Sequence, residues 1–120
     1  MKIFLDTADV YAIRDYYETG LIDGVTTNPT LIKKSRRNPL DVYQQIKDIG
    51  VPDISMEVMG DAKEMVIEGN TLFQMFGDVA TIKVPCTRDG LKACKELSDV
   101  GIKVNVTLIF SMPQAVLAAK

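Results

Sequence analysis

Apolar segments with strand character alternate with helix-forming segments along the whole chain, and this alternation constrains the fold more than any other feature. Strands are predicted over residues 2–7, 21–26, 53–59, 78–85 and 102–110. Helices are predicted over roughly 10–18, 39–49, 61–76 and from 87 or 89 to just before 101, and another begins at 111–113. Strict alternation with short connections predicts parallel strands covered by helices.

Capping residues mark the ends of the predicted helices. Polar residues suited to the N-cap position precede three of them, and Asn38 is followed by a proline at the first helical position. Glycines, which favour the left-handed conformation of a helix end, follow the same three. The N-caps are Asp9, Asn38 and Asp61, and the terminating glycines are Gly20, Gly50 and Gly77.

Two architectures fit this order of elements: an open doubly wound sheet, or a (β/α)₈ barrel of which the chain would form a little over half. A dinucleotide-binding sheet carries G-x-G-x-x-G after its first strand, whereas this chain has the sequence Asp-Thr-Ala-Asp over residues 6–9. A P-loop is absent from the sequence as well. Flavodoxin-like sheets, which lack both motifs, stay open on topology alone.

Composition indicates a soluble globular protein, with 47% hydrophobic and 25% charged residues. The formal net charge is −2 with both signs interspersed, so no nucleic-acid partner is expected. The one basic cluster covers residues 33–37 and is predicted to be a solvated loop; phosphate attraction or a subunit contact is the alternative.

Cysteine and histidine usage narrows the possible chemistry. Cys86 and Cys94 stand eight positions apart without a CxxC motif, and the chain has no histidine. This argues against a disulfide scaffold, a metal site of the zinc type and a Cys-His nucleophile. Two free thiols suggest a reducing compartment. No signal peptide or membrane-spanning run is predicted, so we expect a cytoplasmic protein without a membrane partner.

A single lysine, Lys83, stands at the centre of the predicted strand 78–85. Burying an ammonium group is costly, so lysine is rarely buried unless it is paired or functional. A desolvated lysine favours its neutral amine, which is a nucleophile able to form a Schiff base. The alternative is a lysine at the end of a strand that extends its ammonium to solvent.

Polar residues lie near the carboxyl end of every predicted strand and share one face, while aliphatic residues occupy the other face. In a barrel the aliphatic face packs under the helices and the polar face points to the axis near the catalytic rim. The pattern therefore predicts a pocket with a lysine nucleophile and acid/base groups. Its members are Asp6, Thr26, Asn28, Glu57, Lys83, Asn105 and Thr107.

At these residues the chain resembles the transaldolase family of class I aldolases, especially its small bacterial and phage-type members. The matching stretches are Phe-Leu-Asp-Thr-Ala (4–8), Gly-Val-Thr-Thr-Asn-Pro-Thr-Leu-Ile (24–32), Ser-Met-Glu-Val (55–58), Ile-Lys-Val-Pro (82–85) and Asn-Val-Thr-Leu-Ile-Phe-Ser (105–111). The resemblance implies an eight-stranded barrel of the TIM type.

The resemblance also implies a role for each polar residue. Lys83 would attack the C2 ketone of a ketose phosphate and form a carbinolamine and then an imine. Glu57 and Thr107 would hold the water used in the proton transfers, and Asp6 would take the proton from the C4 hydroxyl. Asn28 and Asn105 would bind the dihydroxyacetone unit, with Thr26 supporting the pocket. The imine nitrogen is the electron sink, so no metal or other cofactor is expected.

Close relatives in the family act as fructose 6-phosphate aldolases. Their pattern has glutamine at the place of Glu57 and lacks an asparagine at the place of Asn105. The resemblance therefore implies the transaldolase version, which exchanges a dihydroxyacetone unit between sugar phosphates such as fructose 6-phosphate and sedoheptulose 7-phosphate.

The family has eight strands, so we expect residues 1–120 to form a single barrel domain truncated after the fifth strand and the start of its helix. Family members carry a phosphate-binding arginine in the later strands, which this chain lacks. Small family members also assemble into rings, so a homo-oligomer is expected. Two hypotheses stay open: an enzyme, either transaldolase or a simple aldolase, and a non-catalytic half-barrel that serves as an assembly partner or folding fragment.

Overall fold

The computed structural model describes all residues from 1 to 120, and these form five βα units. The strands are β1 (Phe4–Asp6), β2 (Gly24–Thr26), β3 (Ile54–Glu57), β4 (Ala80–Pro85) and β5 (Val104–Thr107). The helices are α1 (Val10–Tyr17), α2 (Pro29–Ser35), α3 (Pro39–Ile49), α4 (Ala62–Phe76), α5 (Arg88–Asp99) and α6 (Met112–Ala119). A short 3₁₀ turn, Gly77–Val79, connects α4 to β4.

The five strands form one parallel sheet in the sequential order β1-β2-β3-β4-β5. Doubly wound sheets, including the flavodoxin-like type, place at least one strand out of sequential order. A barrel adds each strand beside the previous one, so the observed order matches a barrel. The sheet curls into a half-barrel, which confirms the predicted TIM-type architecture.

The hydrophobic core lies between the outer face of the sheet and the helices. Aliphatic residues of the middle strands, such as Met56 and Ile82, are fully buried against helix residues such as Ile46 and Leu97. Burying one such side chain stabilises the fold by roughly 1.5–3 kcal/mol. The predicted alternation is therefore confirmed for the aliphatic face, and the polar residues point to the opposite side.

The three predicted N-caps are confirmed, whereas α1 ends at Tyr17 with Glu18, not Gly20, at its C-cap. Asp9, Asn38 and Asp61 each accept a hydrogen bond from a backbone N–H in the first turn of their helix. Asp61 also forms a reciprocal capping box with Glu64, which satisfies two N–H groups that have no partner within the helix. Gly50 ends α3 in the left-handed conformation. None of the helices is both long enough and apolar enough to cross a membrane.

One helix, α2, is absent from the sequence-based prediction. It begins with Asn28 as N-cap and Pro29 at its first turn, the same signature that marks α3. Its last turn contains Lys33, so the prediction of a solvated loop over residues 33–37 is wrong for 33–35. Arg36 follows with a φ angle of +57°. The basic side chains of this cluster are nevertheless exposed.

The strands are shorter than predicted, most clearly at β5. Leu108 has a φ angle of +62°, which breaks the extended conformation immediately after Thr107. Residues 108–110 therefore leave the sheet and lead to Ser111, the N-cap of α6. The sequence does not predict this end of the strand, because leucine rarely adopts a positive φ angle.

Candidate active site

The carboxyl ends of the strands bring the predicted polar residues to one rim of the half-barrel. Parallel register pairs Asp6 with Thr26, and it pairs Lys83 with Glu57 on one side and with Asn105 on the other. Partners in register project to the same face of a sheet. The register thus places two acidic groups, an amide and a lysine above the inner face of the half-barrel.

Lys83 is buried in the middle of this rim, with 9% of its surface exposed. Its Nζ atom lies 3.3 Å from Glu57 Oε2 and donates a hydrogen bond of 3.1 Å to the backbone carbonyl of Thr27. A buried ammonium group requires such compensation, because desolvation without a partner costs several kcal/mol. The ammonium does not extend to solvent, so the alternative of a solvated strand-end lysine is excluded.

A cavity of about 560 Å³ opens above Lys83. Five of the seven predicted site residues line it: Asp6, Asn28, Glu57, Lys83 and Thr107. The other lining residues are Pro29, Thr30, Leu31, Met59 and Leu108. A cavity of this size accommodates a small metabolite. The amine, two carboxylates and a hydroxyl therefore face one space that a substrate can enter.

The two remaining predicted residues support the site from beneath. Thr26 donates its hydroxyl to Asp6 Oδ1 at 2.8 Å, which orients that carboxylate and leaves Oδ2 without a protein donor. Asn105 donates its side-chain N–H to Ser55 Oγ at 3.2 Å. Both residues lie on the inner face but outside the set that lines the cavity.

Asn28 has a structural contact in addition to its place on the cavity wall. Its Oδ1 atom accepts the backbone N–H of Leu31 at 2.9 Å and so caps α2. The side-chain NH₂ group is left available to a ligand, since only Oδ1 is engaged. Asn28 thus joins the start of α2 to the wall of the site.

Thr27 contacts Lys83 through its carbonyl, a role that sequence reasoning missed. The residue is fully buried, and its side chain points away from the cavity to the carbonyl of Ser55. A backbone acceptor leaves no signature in residue type. The nearest signal is the position of Thr27 directly after the strand, between two predicted site residues.

Tyr43, on α3, is a second buried polar residue that sequence reasoning missed. It lies at the floor of a neighbouring cavity of about 590 Å³, whose wall includes Glu57. Burial raises the pKa of the Tyr43 phenol above its usual value of 10.0, and contact with the Thr27 hydroxyl acts in the opposite direction. The carboxylates of Glu68 and Glu57 add to the rise in pKa. The phenol is therefore neutral at physiological pH.

This arrangement contains the parts that imine chemistry requires. A buried primary amine supplies a nucleophile, and two carboxylates within the same cavity can move protons. Asp6 and Lys83 form no direct ion pair, so a substrate can lie between them. Neither this site nor any other part of the structure groups three or more His, Cys, Asp and Glu side chains in a way that could hold a metal ion.

Comparison with known proteins identifies the family of the chain. The model of the family described as transaldolase/fructose-6-phosphate aldolase matches residues 3–120. A probable transaldolase of Nitrosopumilus maritimus (strain SCM1) is 54% identical over the whole of this chain and 54% of its own length. Those of Ruegeria sp. (strain TM1040) and Chelativorans sp. (strain BNC1) are 53% and 55% identical, each over 55% of the relative.

The chain spans about half the length of the curated relatives it matches. The range matched by the family model includes all the residue positions of the site described above. The chain belongs to the transaldolase/fructose-6-phosphate aldolase family.

Proposed function

We propose that the protein is a transaldolase that transfers a dihydroxyacetone unit from a ketose phosphate to an aldose phosphate through an imine on Lys83. The observation that carries this proposal is the burial of Lys83 within 3.3 Å of Glu57, at the base of a cavity that Asp6 also lines. The relatives' names, probable transaldolase, support the same class of reaction.

The first half of the reaction forms the covalent intermediate. The Lys83 amine adds to the C2 ketone and gives a carbinolamine, which loses water to become a positively charged imine. Glu57 stands at the nitrogen and can accept and return the protons of this step, and Thr107 offers a hydroxyl from the facing wall. The imine carbon, C2, is the middle carbon of the three-carbon unit that will be transferred.

The second half of the reaction cleaves the ketose phosphate and transfers its three-carbon unit. Asp6 takes the proton of the C4 hydroxyl, the C3–C4 bond breaks, and its electron pair moves into the imine nitrogen to give an enamine. The aldose phosphate leaves, and a second aldose accepts the three-carbon unit by the reverse steps. Asn28 and Asn105 would hold the hydroxyls of that unit, and Thr26 would fix the Asp6 carboxylate.

A simple fructose 6-phosphate aldolase is the second candidate, because the family model covers both activities. The two reactions differ only in the fate of the enamine. A transaldolase retains it until an aldose arrives, whereas an aldolase hydrolyses it and releases free dihydroxyacetone. Glu57 and Asn105 favour transfer, because the aldolase pattern has glutamine and lacks the asparagine.

The test is product analysis with fructose 6-phosphate and erythrose 4-phosphate as substrates. Transfer would yield sedoheptulose 7-phosphate and glyceraldehyde 3-phosphate, and aldolase activity would yield free dihydroxyacetone. The Lys83→Arg variant keeps the positive charge but cannot form an imine, so it should be inactive. Lys103→Arg is the matched control, because Lys103 also lies on the inner face and pairs with Asp53 at 3.1 Å. No product from the folded chain would favour a non-catalytic half-barrel.

A further inference from the structure

One hydrogen bond and one ion-pair contact hold the amine of Lys83 in place. Nζ donates to the Thr27 carbonyl at 3.1 Å and lies 3.3 Å from Glu57 Oε2. A neutral primary amine is tetrahedral, with one bond to carbon, two N–H bonds and one lone pair. Once Glu57 has taken a proton from the ammonium, the hydrogen bond to Thr27 holds one of the two remaining N–H bonds and so limits the directions open to the lone pair. Lys83 lines the cavity, so these directions include the cavity.

The Thr27 carbonyl is itself fixed by the rest of its residue. Both the backbone N–H and the side-chain hydroxyl of Thr27 donate to the carbonyl of Ser55, each at 3.1 Å. These two bonds join the end of β2 to β3 and stop the Thr27 peptide from rotating. The residue has no exposed surface, so water cannot replace these contacts.

We propose that Thr27 is a positioning residue whose carbonyl holds the Lys83 amine so that its lone pair, once free, is directed at the substrate carbonyl. The inference deepens the proposed function and rests on it, because it concerns the same amine. Thr27 touches neither the cavity nor a substrate. It acts on the reaction only through the direction in which it holds the Lys83 amine.

The test measures the reactivity of Lys83 itself and so does not depend on the natural substrate. The chain is treated with glycolaldehyde and cyanoborohydride, and alkylation of each lysine is followed by peptide mass mapping. The exposed Lys95 serves as internal reference. Thr27→Val removes the hydroxyl and keeps the side-chain shape. It should slow alkylation of Lys83 by about tenfold relative to Lys95, the scale expected when a reacting group loses its alignment.

Two further variants separate positioning from a loss of structure. Thr27→Ser keeps the hydroxyl and should react within about twofold of the parent chain. Thr81→Val removes another buried threonine hydroxyl two residues from Lys83, where it bonds to Asp53 at 2.8 Å. That variant should leave the Lys83 rate unchanged. Equal slowing by Thr27→Val and Thr81→Val would overturn the proposal, as would a Thr27→Val rate equal to that of the parent chain.

If Thr27→Val does not fold, Thr27→Ala decides the matter. It removes the same hydroxyl bond to the Ser55 carbonyl without filling the space with a second methyl group. We expect it to slow Lys83 alkylation by about tenfold, and an unchanged rate contradicts the positioning role. Failure of the proposed function has a different result: fructose 6-phosphate would not be turned over, while glycolaldehyde would still alkylate Lys83 in a Thr27-dependent manner.

Discussion

Glu57 and Lys83 are direct register partners on neighbouring parallel strands, and their charged atoms lie 3.3 Å apart beneath the cavity. The two residues are opposite each other on adjacent strands, so their side chains meet without a contribution from any loop. The register of the sheet therefore brings the pair together.

Removing either partner of this pair should destabilise the fold, because the other charge is left buried. The side chains are 11% and 13% exposed. A double-mutant cycle with Glu57→Gln and Lys83→Met should give a coupling free energy of about 1–3 kcal/mol in urea unfolding. The exposed pair Lys95–Asp99 is the control and should show no measurable coupling. Equal coupling in the two pairs would mean that burial does not strengthen the Glu57–Lys83 interaction.

Substitution of Asn28 should separate its capping role from its proposed substrate contact. Asn28→Ala removes the acceptor for the Leu31 N–H and should lower the free energy of unfolding by about 1 kcal/mol. Asn28→Ser retains a capping oxygen and should be close to the parent chain in stability. Both variants lose the amide NH₂, so both should lose activity on sugar phosphates. Full activity in Asn28→Ser would remove Asn28 from the substrate contacts.

Glycine substitutions at two positions near the end of α2 should have opposite effects on stability. Arg36 has a φ angle of +57° and is exposed, so Arg36→Gly relieves left-handed strain and should stabilise the chain by about 0.5–1 kcal/mol. Lys34 is helical, and Lys34→Gly should destabilise it by about 0.5–1 kcal/mol. Thermal unfolding measures both. A loss of stability in Arg36→Gly would show that its side chain makes a contact more valuable than the strain it imposes.

Burial of Tyr43 should make the fold less stable at alkaline pH. Its pKa is raised in the folded chain, chiefly by burial, whereas the unfolded chain ionises near pH 10. The unfolded state therefore releases its proton first, and stability falls as pH rises through the folded pKa. Tyr43→Phe should lose this part of the pH dependence, measured as unfolding free energy between about pH 9 and pH 11. The exposed Tyr11→Phe variant should retain it. Parallel pH profiles for the parent chain and Tyr43→Phe would contradict the role of Tyr43.

The parallel fold and the location of the site could be predicted from the sequence because both follow from local regularities. Strand parity alone places Asp6, Glu57 and Lys83 on one face, and helix caps such as Asp61 mark the boundaries. The structure agrees because parity and capping depend on near neighbours in the chain. Sheet order, in contrast, depends on contacts between distant residues, and the structure was needed to exclude a doubly wound sheet.

The features that could not be predicted are set by tertiary contacts. Helix α2 has only Ile32 buried, so it lacks the apolar stripe that identifies longer helices. The end of β5 depends on the positive φ of Leu108, which its residue type disfavours. The contact of Thr27 with Lys83 uses a backbone carbonyl, and the burial of Tyr43 beside it depends on how α3 packs against the sheet.

Borohydride trapping of the chain with fructose 6-phosphate tests the central claim most directly. Reduction of the imine fixes the bound sugar carbons on the lysine, and intact mass followed by peptide mapping locates them. We predict an adduct of dihydroxyacetone size on Lys83, absent from Lys83→Arg and present in Lys103→Arg. An adduct that persists in Lys83→Arg, or a folded chain that traps nothing, would contradict the assignment of Lys83 as the imine-forming residue.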